Sequence, residues 1–231
     1  MNVPKHIGII MDGNRRFAKR IMAKPWKGHE WGASKVEKML EWCDELGVKE
    51  LTLYALSIEN LNRPKEELDF LMDIIKKELD RLLIDERVYK NKIKINFIGR
   101  LELLPKDVQE KCREVMEKTK KHDRFILTFA MAYSGQREVV DAAVKIAKQV
   151  KEGKINVDKI NEEVFTNNLD LKNSPDLIIR SGGEIRTSNF LVWQSAYSEW
   201  IFLEKMFPEF EKEDFVKCVE EYSNRQRRFG K

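Results

Sequence analysis

One short segment near the start of the chain combines residue types that bind phosphate groups. The apolar run Ile7–Met11 is followed by Asp12, Gly13, Asn14, Arg15 and Arg16. Asp-Gly-Asn is typical of a turn, and a carboxylate beside guanidinium groups suits a magnesium ion that carries phosphate oxygens. One alternative is an ordinary turn between a strand and a helix, whose charges face solvent. Another is a phosphatase that forms an aspartyl-phosphate, but such enzymes use a second aspartate two residues on, where this chain has Asn14.

Two further segments carry groups that bind polyanions. Residues 57–63 read SIENLNR, and residues 180–189 read RSGGEIRTSN, with two arginines, two glycines and three hydroxyl side chains. Arginine forks, backbone N–H groups and a helix start all favour polyanionic oxygens. The sequence contains neither a P-loop, G-x-x-x-x-G-K-[ST], nor the dinucleotide fingerprint G-x-G-x-x-G. Each segment alone is a weak signal, but segments that follow parallel strands meet at one edge of a sheet.

One histidine and one apolar stripe each have two interpretations. His29 is either an ordinary surface or helix-cap histidine, or a donor to a phosphate group or a proton carrier. His6 and His122 are interpreted as structural. Within residues 65–83, apolar residues recur with helical spacing, so this stripe either fills a core or lines one wall of an apolar tunnel. Both interpretations stay open at this point.

Strand and helix patterns alternate along nearly the whole chain, and these elements must position the three segments. We predict strands at Ile7–Met11, Leu51–Leu56, Ile93–Ile98, Phe125–Met131, Leu177–Ile179 and Trp200–Leu203. We predict helices at about Ala33–Leu46, Lys65–Leu83, Pro105–Lys120, Arg137–Val150, Val157–Asn168, Asn189–Gln194 and Lys212–Arg228. Residues 16–32 and 57–64 are predicted to be unusual loops of the kind that form lids or substrate clamps. The alternation predicts a single α/β domain over residues 1–231, with a mainly parallel central sheet flanked by helices.

Composition limits the class of protein. The net charge of the 231-residue chain is +4, from 43 Lys and Arg against 39 Asp and Glu, which is too small an excess to predict nucleic-acid binding. The three cysteines, Cys43, Cys112 and Cys218, are far apart and odd in number. This pattern argues against a disulfide framework and favours a cytoplasmic protein. We find no signal-peptide pattern and no apolar run near the roughly 20 residues of a membrane span.

Several motifs together resemble the cis-prenyltransferases, the family of the undecaprenyl diphosphate and dehydrodolichyl diphosphate synthases. The matching blocks are HIGIIMDGNRRFAK, Gly28-His29, LTLYALSIENLNRP, DLIIRSGGEIRTSNFLVW, Glu199 and NRQRRFG. Arg15, Leu61 and Ile185 stand where bacterial members have Gly, Trp and His, so the chain is more similar to archaeal or eukaryotic members. The resemblance implies an α/β domain with an apolar tunnel beneath the site.

The resemblance also implies roles for individual residues. Asp12 and Glu199 would bind Mg²⁺, and Asp12 and Asn60 would be catalytic. Asn60 is often assigned as the proton acceptor in this family, but a neutral amide is a poor base, so we expect it to position a diphosphate oxygen or a water that takes the proton. The residues implied to bind the allylic and isopentenyl diphosphates are Gly13, Asn14, Arg15, Arg16, Phe17, His29, Ser57, Ile58, Glu59, Leu61, Arg63, Arg180, Arg186, Thr187, Ser188, Arg228 and Gly230.

The implied reaction is a Mg²⁺-dependent condensation of isopentenyl diphosphate onto an allylic diphosphate primer, farnesyl or geranylgeranyl diphosphate. Its product would be a long-chain polycis-polyprenyl diphosphate, the precursor of a glycosyl carrier lipid, with peripheral membrane contact for product release. Arg228 resembles the arginine of a tail that reaches the neighbouring subunit's site, which implies a homodimer. Ile185 leaves open whether that subunit completes the metal site. The alternative is a non-catalytic partner subunit of a heteromeric prenyltransferase, which would lack the metal aspartate or several arginines.

Overall fold

A computed structural model describes residues 2–225 of the chain. Within this range, six strands form one sheet in the order β3-β4-β2-β1-β5-β6, and all neighbouring strands are parallel. The strands are β1 (His6–Ile10), β2 (Glu50–Tyr54), β3 (Ile93–Ile98), β4 (Phe125–Ala130), β5 (Leu177–Arg180) and β6 (Glu199–Phe202). The central strands β1 and β2 are buried along their whole length, as expected of strands covered on both faces. The predicted parallel α/β sheet is confirmed.

Eight α-helices lie in the described range, and the longer ones follow the prediction closely. They are α1 (Asn14–Arg20), α2 (Gly28–Leu46), α3 (Lys65–Ile84), α4 (Glu86–Lys90), α5 (Lys106–Thr119), α6 (Gly135–Lys151), α7 (Glu162–Asn167) and α8 (Lys212–Asn224). Proline directly precedes both α3 and α5, because its fixed φ suits the start of a helix. α2 is followed by Gly47, whose φ of 83° is one that glycine adopts without strain.

The predicted loop over residues 16–32 is wrong. α1 covers most of its first part, a 3₁₀ turn follows at Pro25–Lys27, and α2 begins at Gly28 rather than Ala33. A Cβ on Gly28 would lie 1.9 Å from the backbone oxygen of Asn14, and a Cβ on Gly32 would lie 2.5 Å from its Oδ1. The two helices therefore meet at contact distance. This tertiary contact stabilises helix α1, although its sequence has no clear helical spacing of apolar residues from which it could be predicted.

The predicted helix at Asn189–Gln194 is also wrong. Ser188, Asn189 and Leu191 have positive φ values of 48°, 62° and 46°, which a right-handed helix does not allow. Phe190, between them, is fully buried and stacks on Tyr54 with 4.8 Å between ring centroids. Burial of this one ring thus fixes an irregular backbone that local propensity does not reveal.

Two further helices differ in extent from the prediction. Residues 157–168 form a 3₁₀ turn, Val157–Lys159, and then the separate helix α7, rather than one helix. Asn161 lies between them and accepts a hydrogen bond from the N–H of Val164 at 2.9 Å, which marks a new helix start. α8 ends at Asn224, and the predicted end at Arg228 lies outside the described residues.

The sheet separates two apolar layers. On one face, α2, α3, α5 and α8 pack over a large core that includes Ile9 and Leu53. On the other face, a smaller cluster contains Tyr54 and Tyr133, and the Tyr133 hydroxyl donates to the buried carboxylate of Glu138 at 2.5 Å. The first layer also encloses the cavity described below.

Candidate active site

The carboxyl ends of β1 and β5 bring two of the predicted segments into contact. Ile10 lies opposite Arg180 in the parallel register, so Asp12 and Arg180 leave the sheet side by side. Arg180 Nη2 donates to Asp12 Oδ2 at 2.8 Å, and Nη1 donates to the Ser188 hydroxyl at 2.6 Å and to the Arg186 carbonyl oxygen at 2.5 Å. The Arg180 side chain is 4 % exposed. Arg180 therefore fixes Asp12 and the 180–188 loop relative to each other.

Asp12 faces a second guanidinium group. Its Oδ1 accepts a hydrogen bond from the Gly13 N–H at 2.6 Å and lies 3.6 Å from Arg16 Nη2. Gly13 has a φ of 98°, and a Cβ there would lie 2.8 Å from Met206 Cβ, so only glycine suits this turn. Arg16 also lies 3.5 Å from Glu184, an acidic neighbour that the sequence analysis did not single out. The first segment thus forms the predicted group of a carboxylate and guanidinium groups.

A second charged group lies at the start of α3. Glu67 Oε1 lies 3.1 Å from Arg63 Nη1 and 3.4 Å from Arg15 Nε, and the Glu67 side chain is 2 % exposed. Burial lowers the pKa of Arg63, and the charge of Glu67 opposes that effect. Glu67, which is not among the predicted site residues, thus orients two of the predicted diphosphate ligands. Arg63 lies before α3 in extended backbone, so helical spacing does not reveal this pair, and the only signal in the sequence is that Glu67 lies four residues after Arg63.

His29 belongs to the same group and is neutral near pH 7. Arg63 Nη1 lies 3.3 Å from His29 Nε2. Burial, and after it the charges of Arg63 and Arg15, lower the pKa of His29 to about 4. Because a guanidinium can only donate, Nε2 accepts and the proton sits on Nδ1. His29 lines the cavity, so it can offer a neutral N–H to a ligand but no positive charge.

Acid is expected to destabilise the protein through its buried histidines. Burial also lowers the pKa of His6 to about 4, whereas histidine in an unfolded chain titrates near ~6.5. Between these values the unfolded chain binds more protons, so the free energy of unfolding is highest above pH ~6.5 and falls towards pH ~4. The expected loss is about 3 kcal/mol for the fully buried His6 and less for His29.

Urea unfolding at about pH 7.5, 5.5 and 4.5 measures this decline. The His29→Gln variant lacks one of the two groups, so its free energy of unfolding should fall less steeply with acid than that of the wild type. Identical slopes in the two proteins would contradict the lowered pKa of His29.

The second predicted segment forms a capped 3₁₀ turn, Ile58–Asn62. The Ser57 hydroxyl accepts a hydrogen bond from the Asn60 N–H at 3.2 Å, and Asn60 Oδ1 accepts one from the Ser57 N–H at 3.2 Å. The amide oxygen of Asn60 takes part in this cap, and its NH₂ group is a donor that it can offer a ligand. Asn60 and Glu59 line the cavity. This geometry favours a positioning role for Asn60 over proton abstraction.

The structure brings many of the predicted ligands to one cavity mouth. Asp12, Asn14, His29, Ser57, Glu59, Asn60, Arg63, Arg180 and Ser188 all line the cavity. Arg186 and Thr187 are exposed beside them, and Arg186 pairs with Glu184 at 2.5 Å. Arg228 and Gly230 lie outside the described residues. The three segments, distant in the chain, therefore meet as predicted.

The apolar members of the predicted set pack against other side chains. Phe17 contacts Trp31 edge-on, with 5.5 Å between ring centroids. Ile58 and Leu61 pack against the large core. These residues therefore hold α1 and the 3₁₀ turn in place, and their roles towards a ligand stay predictions.

Glu199 does not join Asp12 within one chain. It is the first residue of β6 and lies opposite Leu177, whereas Asp12 follows the other end of the neighbouring strands. Glu199 Oε2 accepts a hydrogen bond from Arg225 Nη1 at 2.7 Å. Along the strands, Glu199 lies on the order of 10 Å from the level of Arg180. A metal site with both carboxylates would have to draw Glu199 from a second chain.

Asp12 suits a metal ion that arrives with a ligand. In residues 2–225, no three His, Cys, Asp or Glu side chains are grouped so that they could hold a metal ion. Mg²⁺ commonly takes one or two carboxylates together with water and substrate phosphates. The Asp12 carboxylate is partly exposed beside Arg16 and Arg180. It therefore fits a Mg²⁺ ion bound to a diphosphate, whose other oxygens suit guanidinium groups.

A cavity of about 940 Å³ extends from Asp12 between the sheet and the helices α2 and α3. Below the polar mouth its walls are mainly apolar. They include Val36, Leu40, Leu71, Ile75, Leu79, Leu127 and Phe129. The cavity reaches Ile93 and Phe125, the first residues of β3 and β4. Part of the apolar stripe of α3 therefore lines a tunnel, while Met72 of the same stripe packs in the core, and the predicted apolar tunnel is present.

The chain matches known proteins over almost its whole length. The family model of the undecaprenyl diphosphate synthases matches residues 10–230. The chain belongs to this family of cis-prenyltransferases. A tritrans,polycis-undecaprenyl-diphosphate synthase (geranylgeranyl-diphosphate specific) of Pyrococcus horikoshii is 47 % identical over 99 % of this chain and 88 % of its own length. A protein of the same name from Methanopyrus kandleri is 47 % identical over 99 % of this chain and 85 % of its own length.

A solved structure supports the same assignment. Lavandulyl diphosphate synthase from Lavandula x intermedia, in complex with dimethylallyl diphosphate, is 35 % identical, and the alignment covers 99 % of both chains with a TM-score of 0.94. The predicted resemblance to archaeal members of the family is confirmed. This cis-prenyltransferase uses an allylic diphosphate primer.

None of the helices within residues 2–225 has the length and apolar character needed to span a bilayer.

Proposed function

We propose that this cis-prenyltransferase condenses isopentenyl diphosphate onto geranylgeranyl diphosphate and makes a long-chain polycis-polyprenyl diphosphate. The proposal rests on the continuity of a charged cradle, formed by Asp12, Arg16, Arg63 and Arg180, with the apolar cavity of about 940 Å³. The cradle suits diphosphates, and the cavity suits a hydrocarbon chain, because each buried CH₂ group contributes about 0.8 kcal/mol. Two archaeal relatives are named for geranylgeranyl-diphosphate specificity, which supports this primer over farnesyl diphosphate.

To accelerate this reaction, the site must stabilise the charges that separate when the allylic diphosphate leaves. Breaking the allylic C–O bond leaves a carbocation and a diphosphate, whose developing charge must be stabilised. Asp12 would hold Mg²⁺ together with the allylic diphosphate, and the ion would neutralise charge on the leaving oxygen when bound. Arg16, at 3.6 Å from Asp12, is placed to bind the same diphosphate, and Arg180, at 2.8 Å from Asp12, would hold the diphosphate of isopentenyl diphosphate beside it. Their positions are set before the ligand arrives, which reduces reorganisation during the reaction.

Isopentenyl diphosphate would bind beside the allylic primer. Arg63, Arg186 and Ser188 lie at or next to the cavity mouth and would hold its diphosphate. The NH₂ group of Asn60 would orient a diphosphate oxygen, which takes the proton that is lost when the new cis double bond forms. Holding both substrates in this geometry supplies the positioning contribution to the rate.

We also propose a homodimer, with β6 near the contact. β6 is the outer strand on its side of the sheet, and exposed apolar side chains lie on α6 and beside its first residue. Val140 and Val144 lie one turn apart on α6, and Val192 lies against the first residue of that helix. A second chain would cover this surface. It could also supply Glu199 and the tail that contains Arg228 to the neighbouring site.

The chemistry of the product and of the cysteines bears on where the protein works. All three cysteines are buried free thiols, which supports a reducing cytoplasm. A long polyprenyl diphosphate is largely apolar, so we propose peripheral membrane contact during product release and use of the product as precursor of a glycosyl carrier lipid.

A non-catalytic partner subunit would not need Asp12, Asn60 and Arg180 at one cavity mouth, so their arrangement supports the enzyme.

The proposed reaction can be tested with purified protein, Mg²⁺, labelled isopentenyl diphosphate and one primer at a time. The primers are geranyl, farnesyl and geranylgeranyl diphosphate, and kcat/KM is expected to be highest for geranylgeranyl diphosphate. EDTA should stop incorporation, and added Mg²⁺ should restore it. Chromatography of the dephosphorylated alcohols then gives the chain length. No incorporation with any of the three primers would exclude the enzyme.

A further inference from the structure

The loop that carries Ser188 has a strained backbone at the cavity mouth. Ser188 and Asn189 have φ values of 48° and 62°, a left-handed region that residues other than glycine adopt at a cost in free energy. Asparagine tolerates this region better than most residues. Such a conformation persists only where surrounding contacts hold it. Asn189, which lines the cavity beside Ser188, makes contacts of this kind.

Asn189 is joined to the start of α6 by three hydrogen bonds. Its Nδ2 donates to the Ser134 hydroxyl at 2.7 Å. Its Oδ1 accepts from the Gln136 N–H at 2.8 Å, and its carbonyl oxygen accepts from the Gly135 N–H at 2.9 Å. These N–H groups belong to the first turn of the helix and have no partner within it. Asn189 therefore stabilises the start of α6, and α6 in turn holds the strained loop.

The segment that begins α6 is also joined to the second segment of the cavity mouth. Tyr133 pairs with Ser57 as an isolated parallel bridge. The Tyr133 N–H donates to the Leu56 carbonyl oxygen at 3.0 Å, and the Tyr133 carbonyl oxygen accepts from the Ile58 N–H at 3.0 Å. Ser57 caps the 3₁₀ turn at this mouth. We call residues 133–136 the clasp, because they bond to both segments.

A buried carboxylate anchors the clasp to the scaffold. Glu138 is 5 % exposed, and its Oε2 accepts a hydrogen bond from the Tyr133 hydroxyl at 2.5 Å. Its Oε1 accepts from the N–H groups of Asp170 and Leu171 at 2.9 and 3.0 Å, and from Gln194 Nε2 at 3.1 Å. A buried network whose members are bonded in this way is rigid. The clasp is therefore a fixed reference against which both segments are placed.

We propose that Asn189 is a positioning residue for isopentenyl diphosphate, which sets the place of Ser188 relative to the 3₁₀ turn of Asn60 through the clasp. This inference rests on the proposed binding of isopentenyl diphosphate by Ser188. The Ser188 hydroxyl also accepts a hydrogen bond from Arg180 at 2.6 Å, so a displaced loop would shift a hydroxyl and a guanidinium group together. Asn189 then acts on the ligand through Ser188, a role that does not need its own contact with the diphosphate.

Asn189→Gly tests this role, because glycine adopts the same φ without strain and only the side-chain hydrogen bonds are lost. KM for isopentenyl diphosphate should rise about five-fold, while kcat and KM for the allylic primer should stay within about two-fold of wild type. Asn161→Gly is the matched control. Asn161 Oδ1 accepts a hydrogen bond from the Val164 N–H at 2.9 Å at the start of α7, away from the residues that line the cavity, so both KM values should be unchanged.

Ser134 separates positioning from direct contact with the ligand, because it does not line the cavity. Ser134→Ala removes the acceptor of Asn189 Nδ2, so KM for isopentenyl diphosphate should rise about three-fold. Ser134→Thr keeps the hydroxyl and should stay near the wild-type KM. In the double variant Ser134→Ala/Asn189→Gly, KM should rise no further than in Asn189→Gly, since both changes remove the same hydrogen bond.

Calorimetric binding of isopentenyl diphosphate and urea unfolding of each variant complete the test. The rise in KM should be matched by a rise in Kd. An unchanged KM with lower stability in Asn189→Gly, or a KM effect in Asn189→Gly without one in Ser134→Ala, would overturn the proposal. If Asn189→Gly does not fold, the comparison of Ser134→Ala with Ser134→Thr still decides it. Absence of both binding and incorporation in the wild type would instead refute the proposed synthase activity.

Discussion

Replacing Asp12 with asparagine is expected to lower turnover by about three orders of magnitude. The change keeps the size of the side chain but removes the carboxylate that contacts Arg180 at 2.8 Å and Arg16 at 3.6 Å. An amide is a poor ligand for Mg²⁺, so the charge on the leaving diphosphate would lose its main stabilisation. Single-turnover incorporation of labelled isopentenyl diphosphate, with saturating primer and Mg²⁺, measures the effect.

Two comparisons separate this effect from misfolding. Asp73→Asn is the matched control on the exposed side of α3, where the Asp73 side chain is 77 % exposed, and it should keep wild-type turnover. Binding of isopentenyl diphosphate to Asp12→Asn should persist, because the proposed ligands Arg63, Arg186 and Ser188 are unchanged. If turnover of Asp12→Asn stays within a few-fold of wild type, Asp12 does not have the proposed metal role.

Replacing Glu67 is expected to give the largest effect of any residue outside the proposed ligands. Glu67 is buried, and its Oε1 lies 3.1 Å from Arg63 and 3.4 Å from Arg15. In Glu67→Ala, both guanidinium groups lose the partner that orients them, so KM for isopentenyl diphosphate should rise about ten-fold. Arg63, whose side chain is 20 % exposed, would lose its buried partner, which should also lower the free energy of unfolding by about 2 kcal/mol.

The neighbouring residue provides a close control. Glu66→Gln changes a carboxylate that is 72 % exposed and lies 3.6 Å from Lys24, so both KM and stability should stay near wild type. Glu67→Gln keeps a hydrogen-bond acceptor and is expected to recover part of the KM defect. A purely structural role for Glu67 would instead appear as lost stability with an unchanged KM in both of its variants.

The sequence predicts the strands better than the connections between them. The predicted bounds of β3, Ile93–Ile98, are the observed ones. The strand is bounded by Gly99, which has a φ of 103° and no room for a Cβ beside the Met131 carbonyl oxygen at 2.3 Å. α1 was missed because its stability depends on contact with Gly28 and Gly32, which local patterns do not display. Elements defined by their own period can thus be predicted, whereas those defined by a tertiary contact cannot.

The same distinction applies to the site. The meeting of Asp12 with Arg180 follows from the parallel sheet, because residues after neighbouring strands must share an edge. The acidic partner Glu67 was missed, since a chain with 39 Asp and Glu offers many candidates for each arginine. Glu199 came from the resemblance alone, and its position directly before the predicted strand Trp200–Leu203 already separates it from Asp12, which follows a strand; the structure confirms this separation. Strand order predicts which loops meet, but only side-chain packing decides the ion pairs.

β1 precedes the other five strands of the sheet in the chain, yet it lies inside the sheet between β2 and β5. On the ribosome, one side of β1 must therefore stay without its neighbour until Leu177–Arg180 has emerged. An apolar strand with an open side can associate with other nascent chains. Arg180 reaches Asp12 in the same event that covers β1, and Asp176 then accepts hydrogen bonds from the N–H groups of Lys5 and His6 at 2.8 and 3.2 Å. Protection from aggregation and competence to bind diphosphate are thus acquired together, late in translation.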